Sequence, residues 1–189
     1  MMDTLALEKE NNLTRHYHKN TIMPRFTYCL GLLDMVLDEL DKKRTDLRNQ
    51  NLGLYDKYDN DFDFDFKKRI ELESDVCIAL ESLWQIQQMM HSVSDIGSIT
   101  TLLPSTTSII RMISSRLFGS FPNYSQSLCE LSAILGSVVM DSATIAEAKF
   151  DFAESNKASQ RILDEAKLIV DSKINKQYPN LDFAKPELA

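Results

Sequence analysis

Two apolar seams in steps of three and four constrain this chain more than any other feature. The first runs through Met23, Phe26, Leu30, Leu33, Leu37, Leu40 and Leu47, with Arg44 in its one polar slot. The second runs through Leu72, Val76, Ala79, Leu83, Ile86, Met90 and Val93. Residues three and four apart share one face of a helix, so each seam is the buried stripe of an amphipathic helix. Ile22, Cys29 and Val36 widen the first stripe, while Ile78, Leu80 and Trp84 lie off the second. Pro24 falls near the expected start of the first helix, where a missing N–H costs little. The first seam predicts a helix over about residues 23–50, on the order of 40 Å long at 1.5 Å per residue. Neither helix can hide its stripe alone. The two are therefore expected to form a long α-helical hairpin over residues 23–96.

The remaining periodic segments are shorter. Ile109, Ile110, Ile113, Leu117 and Phe118 mark a third helix, closed by Gly119 and Pro122. Leu128, Leu131, Leu135 and Val138 mark a fourth, so the short helices occupy residues 109–145. Ile162, Ala166, Ile169 and Ile174 mark a fifth over residues 151–177, stopped by Pro179. Gly97 and Pro104 flank a Ser/Thr-rich run that breaks the pattern, and residues 97–108 read as a hinge. Residues 1–20 lack firm periodicity and read as a flexible arm; residues 179–189 read as a tail. Only five Gly and five Pro occur in 189 residues, too few for the tight turns of an all-β fold, and no alternating strand pattern appears. The fold class expected is all-α.

Charge narrows the function classes. The net charge is −7, and residues 51–100 hold ten acidic against four basic side chains. Nucleic-acid binding wants a concentrated basic face, so no nucleic-acid partner is expected. Cys29, Cys77 and Cys129 are widely spaced, odd in number and set in apolar patterns. Buried free thiols in a reducing compartment are expected. Residues 1–19 lack the apolar stretch of a signal peptide, and no run approaches 18 apolar residues, so no membrane span is expected.

Candidate chemistry is sparse. Asp59, Asp61, Asp63 and Asp65 alternate in the manner of a calcium loop. Frames from Asp59 and Asp61 put Phe64 or Phe66 where Gly is needed, and Ile70 or Leu72 where Glu is needed, so both fail. The segment reads instead as an acidic connector whose Phe residues dock on the hairpin. Asp34/Asp38 and Glu71/Asp75 are carboxylate pairs on single helix faces, as in carboxylate-bridged metal bundles. No Glu-x-x-His accompanies them, and solvated helix charge explains them as well. No nucleophile elbow or phosphate-cradling Gly loop occurs, so neither catalysis nor a cofactor or metal is expected. The basic residues Arg15, Lys19, Arg25, Lys42, Lys43, Arg44 and Arg48 gather along the first helix. Such residues suit an anionic membrane at about 1 kcal/mol each, although Asp41 and Asp46 dilute the patch.

The order of elements and two segments resemble one family. LPSTTSIIRMISSRLFGSFPNYSQSLCELSAILGSVV, from Leu103, and NKASQRILDEAKLIVDSKINKQYPNL, from Asn156, are similar to the archaeal ESCRT-III-like cell division proteins of the ESCRT-III superfamily. In that branch a helix ending in a small residue and Pro leads into a Leu-rich helix. Ala158, Ile162, Leu163, Glu165 and Ala166 match the final helix, and Tyr178–Pro179 matches its closing aromatic–Pro pair.

The resemblance implies a filament-forming, non-catalytic membrane-remodelling subunit acting in cell division or membrane scission. It implies an ESCRT-III-like core at residues 21–178 that switches between closed and open forms about Gly97 and Pro104. Phe26, Leu30, Leu33, Leu37, Leu40, Leu72, Val76, Leu83, Ile86 and Met90 would then form the hairpin and polymer core. It implies a cytoplasmic protein on the inner face of the membrane at the division site, contacting anionic lipid directly or through a partner. The implied partners are further copies, longer paralogues and a disassembling AAA-type ATPase. Leu181, Phe183, Pro186 and Leu188 stand as a reduced form of the ATPase-recruiting tail, and the member expected is a short paralogue without the winged helix. Two other readings fit the seams: a cytosolic helical regulator holding metal through its DxxxD and ExxxD carboxylates, and a plain coiled-coil scaffold of fixed size.

Overall fold

The computed structural model describes residues 2–57, 64–146 and 152–179, with side chains for 20–57, 64–145 and 153–179. The described residues form five α-helices and no strand, so the all-α expectation is met: α1 (Met2–Tyr55), α2 (Phe64–His91), α3 (Ile96–Leu117), α4 (Pro122–Ala146) and α5 (Phe152–Gln177).

The seams become core. Phe26, Leu33, Leu37, Leu40 and Leu47 are buried, as are Val76, Ala79, Leu83, Ile86 and Met90. Met23, Leu30 and Val93 are partly buried against the same core, and Leu72 is half-buried. Polar contacts fix the directions. Gln87 Nε2 donates to Asp34 Oδ1 near the middle of α1, and Asn51 Nδ2 donates to Glu73 Oε2 near its end, so α1 and α2 run antiparallel. Arg25 pairs with Asp141 at 2.7 Å and Lys43 lies over the Phe121 ring, so α4 runs antiparallel to α1. Ser114 and Ser125 exchange hydroxyl bonds across the α3–α4 turn. Around the bundle α1 packs on α2, α2 on α3, α3 on α4 and α4 on α1. This places α1 and α3 at opposite corners of a square. The fifth helix lies outside it, along α2 and α3.

Three expectations change. Residues 2–20 are not a flexible arm but the first turns of α1. They contain no Gly or Pro and include the helix formers Leu5, Ala6, Leu7, Glu8 and Lys9, and a helix needs no apolar stripe to form. The expected hinge at 97–108 lies inside α3, and Gly97 and Pro104 are helical. Asp95 caps the helix, its side chain accepting from the Ser98 N–H at 2.8 Å. The hydroxyls that made the segment look loop-like bond back to helix carbonyls: Thr101 to Gly97, Thr106 to Leu102 and Thr107 to Leu103. Ile99, Leu103, Thr106 and Ile110 keep the buried face continuous past Pro104. The break between α2 and α3 sits at residues 92–95 instead. Finally, only Cys29 is fully buried; Cys77 is half-buried and Cys129 is exposed on α4.

The fourth helix, over Pro122–Ile145, is long and apolar enough to cross a membrane by length and composition. Its apolar residues Leu128, Leu131, Leu135, Val138 and Val139 are buried in the bundle core.

Candidate functional site

The bundle has two separate cores. The larger joins α1–α4, and its buried members run from Ile22 to Val139. The smaller holds Phe66, Ile70 and Ile78 of α2 against Ala166, Val170, Ile174 and Tyr178 of the α5 segment. The fifth helix is thus attached at two places. Its first half rests Ile162 and Leu163 against the larger core, and its second half fills the small core, at the end of the bundle where α1 finishes and α2 begins.

A carboxylate sits in this patch. Glu73 belongs to the face Phe66, Ile70, Glu73, Cys77 of α2, and it is 1% exposed. A buried carboxylate demands donors. Asn51, in the last turns of α1, gives Nδ2–H to Oε2 at 2.8 Å. Tyr178 gives its hydroxyl to the same oxygen at 2.9 Å. Gln177 reaches Oε1 at 3.3 Å and the Tyr178 hydroxyl at 2.8 Å. Asn51 is buried, and Arg69 ties Gln50 beside it through Nη2 at 2.9 Å. The Tyr178 ring is fully buried, edge-on to Tyr55 at 5.4 Å and to Phe66 at 6.3 Å. Burial, and next the Glu73 carboxylate, push the Tyr178 hydroxyl far above the ordinary phenol range, so it stays protonated as a donor. Three helices therefore meet on one acceptor, and two of its donors leave if α5 leaves.

Along its length α5 has weaker ties. Ser159 donates to the Ser105 carbonyl at 3.0 Å, Ser108 donates to Asn156 at 2.7 Å, and Lys173 pairs with Glu81 at 3.1 Å on the surface. An exposed pair of that kind is worth about 0–1 kcal/mol.

The basic set expected to meet a membrane is dispersed. Arg25 is committed to Asp141, and Arg44 is paired with Asp41 and lies over the Trp84 ring at 5.7 Å. Lys43 stands over Phe121 at 5.8 Å. Lys42 and Arg48 are exposed. Arg15 and Lys19 lie on the helical backbone before the described side chains. The carboxylate pairs are not gathered either. Asp34 accepts from Gln87 at 2.6 Å and Asp75 from Arg116 at 2.7 Å, and among the described residues no three metal-ligating side chains cluster. Phe66 of the acidic connector docks as expected, whereas Phe64 is exposed. Asp59, Asp61 and Asp63 lie outside the described residues, as do Leu181, Phe183, Pro186 and Leu188.

No motif singles out Glu73 or Asn51 in the sequence, and Tyr178 is legible there only as half of an aromatic–Pro pair. The available signal was Glu73 itself, a carboxylate inside the apolar stripe Phe66, Ile70, Cys77. No family model matches the chain, and no solved structure matches it.

Proposed function

We propose that the chain is a filament-forming, non-catalytic membrane-remodelling subunit of the ESCRT-III-like kind, held here in its closed form. In this reading α1 and α2 are the long hairpin, α3 and α4 lie along it, and α5 is the latch. The observation that carries it is the small separate core around Glu73. The second half of the fifth helix docks on a core distinct from the main one. Its release costs that patch and the partly buried contacts of Ile162 and Leu163, while the fully buried residues of the main core all belong to α1–α4. The point of straightening is the capped break at residues 92–95, rather than 97–108. Among the described side chains of α1, Lys42 and Arg48 are the exposed basic residues, so lipid contact from residue 20 onward falls to them, with longer paralogues supplying the rest. Disassembly by an AAA-type ATPase through Leu181–Leu188, and a place on the cytoplasmic face of the dividing membrane, complete the proposal.

The test is negative-stain electron microscopy of the wild-type chain and Val170→Asp, with and without phosphatidylserine vesicles. Val170 is buried only in the small core. Val170→Asp is expected to keep its helical circular dichroism and to form filaments or coated, tubulated vesicles at lower concentration than wild type. Both proteins remaining small particles beside unaltered vesicles would overturn the reading.

A further inference from the structure

The outer side of the α3–α4 pair carries a groove that nothing in the fold fills. One section, of about 690 Å³, lies between Pro104, Arg111 and Met112 of α3 and Ala133, Gly136 and Met140 of α4, with the start of α5 at its end. A second, of about 570 Å³, continues between Ser115 and Phe118 of α3 and Pro122 and Cys129 of α4. From Pro104 to Phe118 the groove is about 21 Å long at 1.5 Å per residue. Its lining holds one charged residue, Arg111, and no carboxylate. The guanidinium lies over Gly136, where an added Cβ would stand 3.5 Å from Nη2. Among the described residues Arg111 has no ion-pair partner.

A shape and a charge of the opposite kind stand on α1. Its outward face shows Tyr28, Gly31 and Met35, with Asp38 and Glu39 exposed directly after them. Nothing lies within 4 Å of a Cβ built on Gly31, so that ridge is bare. Among the described residues six large apolar side chains are exposed. Two of them, Tyr28 and Met35, belong to this ridge, and two more, Phe118 and Met140, border the groove. Because α1 and α3 occupy opposite corners of the bundle, the ridge faces away from the groove.

We infer that the groove receives the α1 ridge of a second copy of this chain, with Tyr28 and Met35 seated between α3 and α4 and Asp38 or Glu39 facing Arg111. Two different surfaces on different sides make a head-to-tail contact, which leaves a free ridge and a free groove on every added copy. The contact therefore repeats, as an open filament unless the rotation between copies closes it into a ring. A contact of this length is at the small end of specific interfaces, so association is reversible and concentration-dependent. The inference builds on the assembly part of the proposed function but does not use the release of α5, since both surfaces are open with α5 docked.

Sedimentation velocity of the full chain tests it with Met35→Asp and Arg111→Glu, both exposed substitutions checked for native helicity. Wild type is expected to form a concentration-dependent ladder of species, and each variant alone to lose it and run as a monomer. Mixed in equal amounts the variants keep one intact pairing, the ridge of Arg111→Glu with the groove of Met35→Asp. They are therefore expected to give a dimer that grows no further. Monomers in the mixture, or ladders from either variant alone, would overturn the contact. A wild-type chain that stays monomeric at high concentration would do the same and leave the groove to a helix of another protein. If Val170→Asp still forms filaments when it also carries Met35→Asp or Arg111→Glu, this contact fails while the membrane-remodelling reading stands.

Discussion

Glu73 is the residue on which the docked state turns. Tyr178→Phe removes one of its three donors and leaves the ring packed. Weakening the satisfaction of a buried carboxylate costs about 1–2 kcal/mol, and the loss should be read as a lower midpoint in thermal or urea unfolding. The pH dependence follows from the same hydroxyl. Its folded-state pKa lies above the phenol value of 10.0, so the protonated form is favoured by folding. That stabilisation is complete below about pH 10 and is lost as pH rises beyond it, because the unfolded chain releases the proton first. Wild type should lose stability from about pH 9, where the buried thiols of Cys29 and Cys77 begin to contribute, and more steeply above pH 10, and Tyr178→Phe should lose less over this upper range. The thiols separate by burial. Cys29 and Cys77 are both pushed up to about 11, chiefly by desolvation, whereas Cys129 is exposed on α4. A thiol reagent at neutral pH should modify Cys129 in the folded protein well before the other two, since thiolate and access together set the rate. Equal labelling of all three would contradict the packing described.

Among the elements, α3 shows what the sequence could and could not convey. Its apolar residues from Ile109 onward are dense and easily read. The preceding turns carry Ser, Thr, Gly and Pro, each of which favours a loop when considered alone. What decides for helix is a set of hydroxyl bonds to carbonyls within the helix, together with Ile99 and Leu103 of α3 itself, buried in the main core. Neither is visible until the partner helices are in place. The first seam was legible because a regular repeat survives any neighbour, whereas Glu73 looked like one more acid in an acid-rich region. Pro104 still leaves the Thr100 carbonyl without its helical N–H donor. Pro104→Ala should restore that bond and raise stability by about 1–3 kcal/mol, seen as a higher midpoint in thermal unfolding. The Asp95 cap acts at the other end of the same segment. Its carboxyl is held below the usual range by the Ser98 amide, so its contribution is present above about pH 4 and fades only in more acidic solution.

At the scale of the whole molecule, the two cores divide the bundle into a body and an attachment. Hydrogen exchange should report this division directly. Amides of α5 from Ala166 to Tyr178 are expected to exchange through a lower-energy opening than those of α1 and α2 near Leu33 and Leu83. Val170→Asp should accelerate the first group selectively. Uniform acceleration along the chain would show a single cooperative unit, and the latch would then not be separable from the body.

The order in which the chain is made gives the small core another meaning. Every buried member of the larger core lies between Ile22 and Val139, and synthesis delivers those residues before α5. The fully buried residues of the four-helix body can therefore pack while Tyr178 and Gln177 do not yet exist, with the Glu73 carboxylate still hydrated and the sites of Ile162 and Leu163 uncovered. On the reading proposed above, each new copy meets the unlatched arrangement once, at birth, and the arrival of the last helix takes it out of that state.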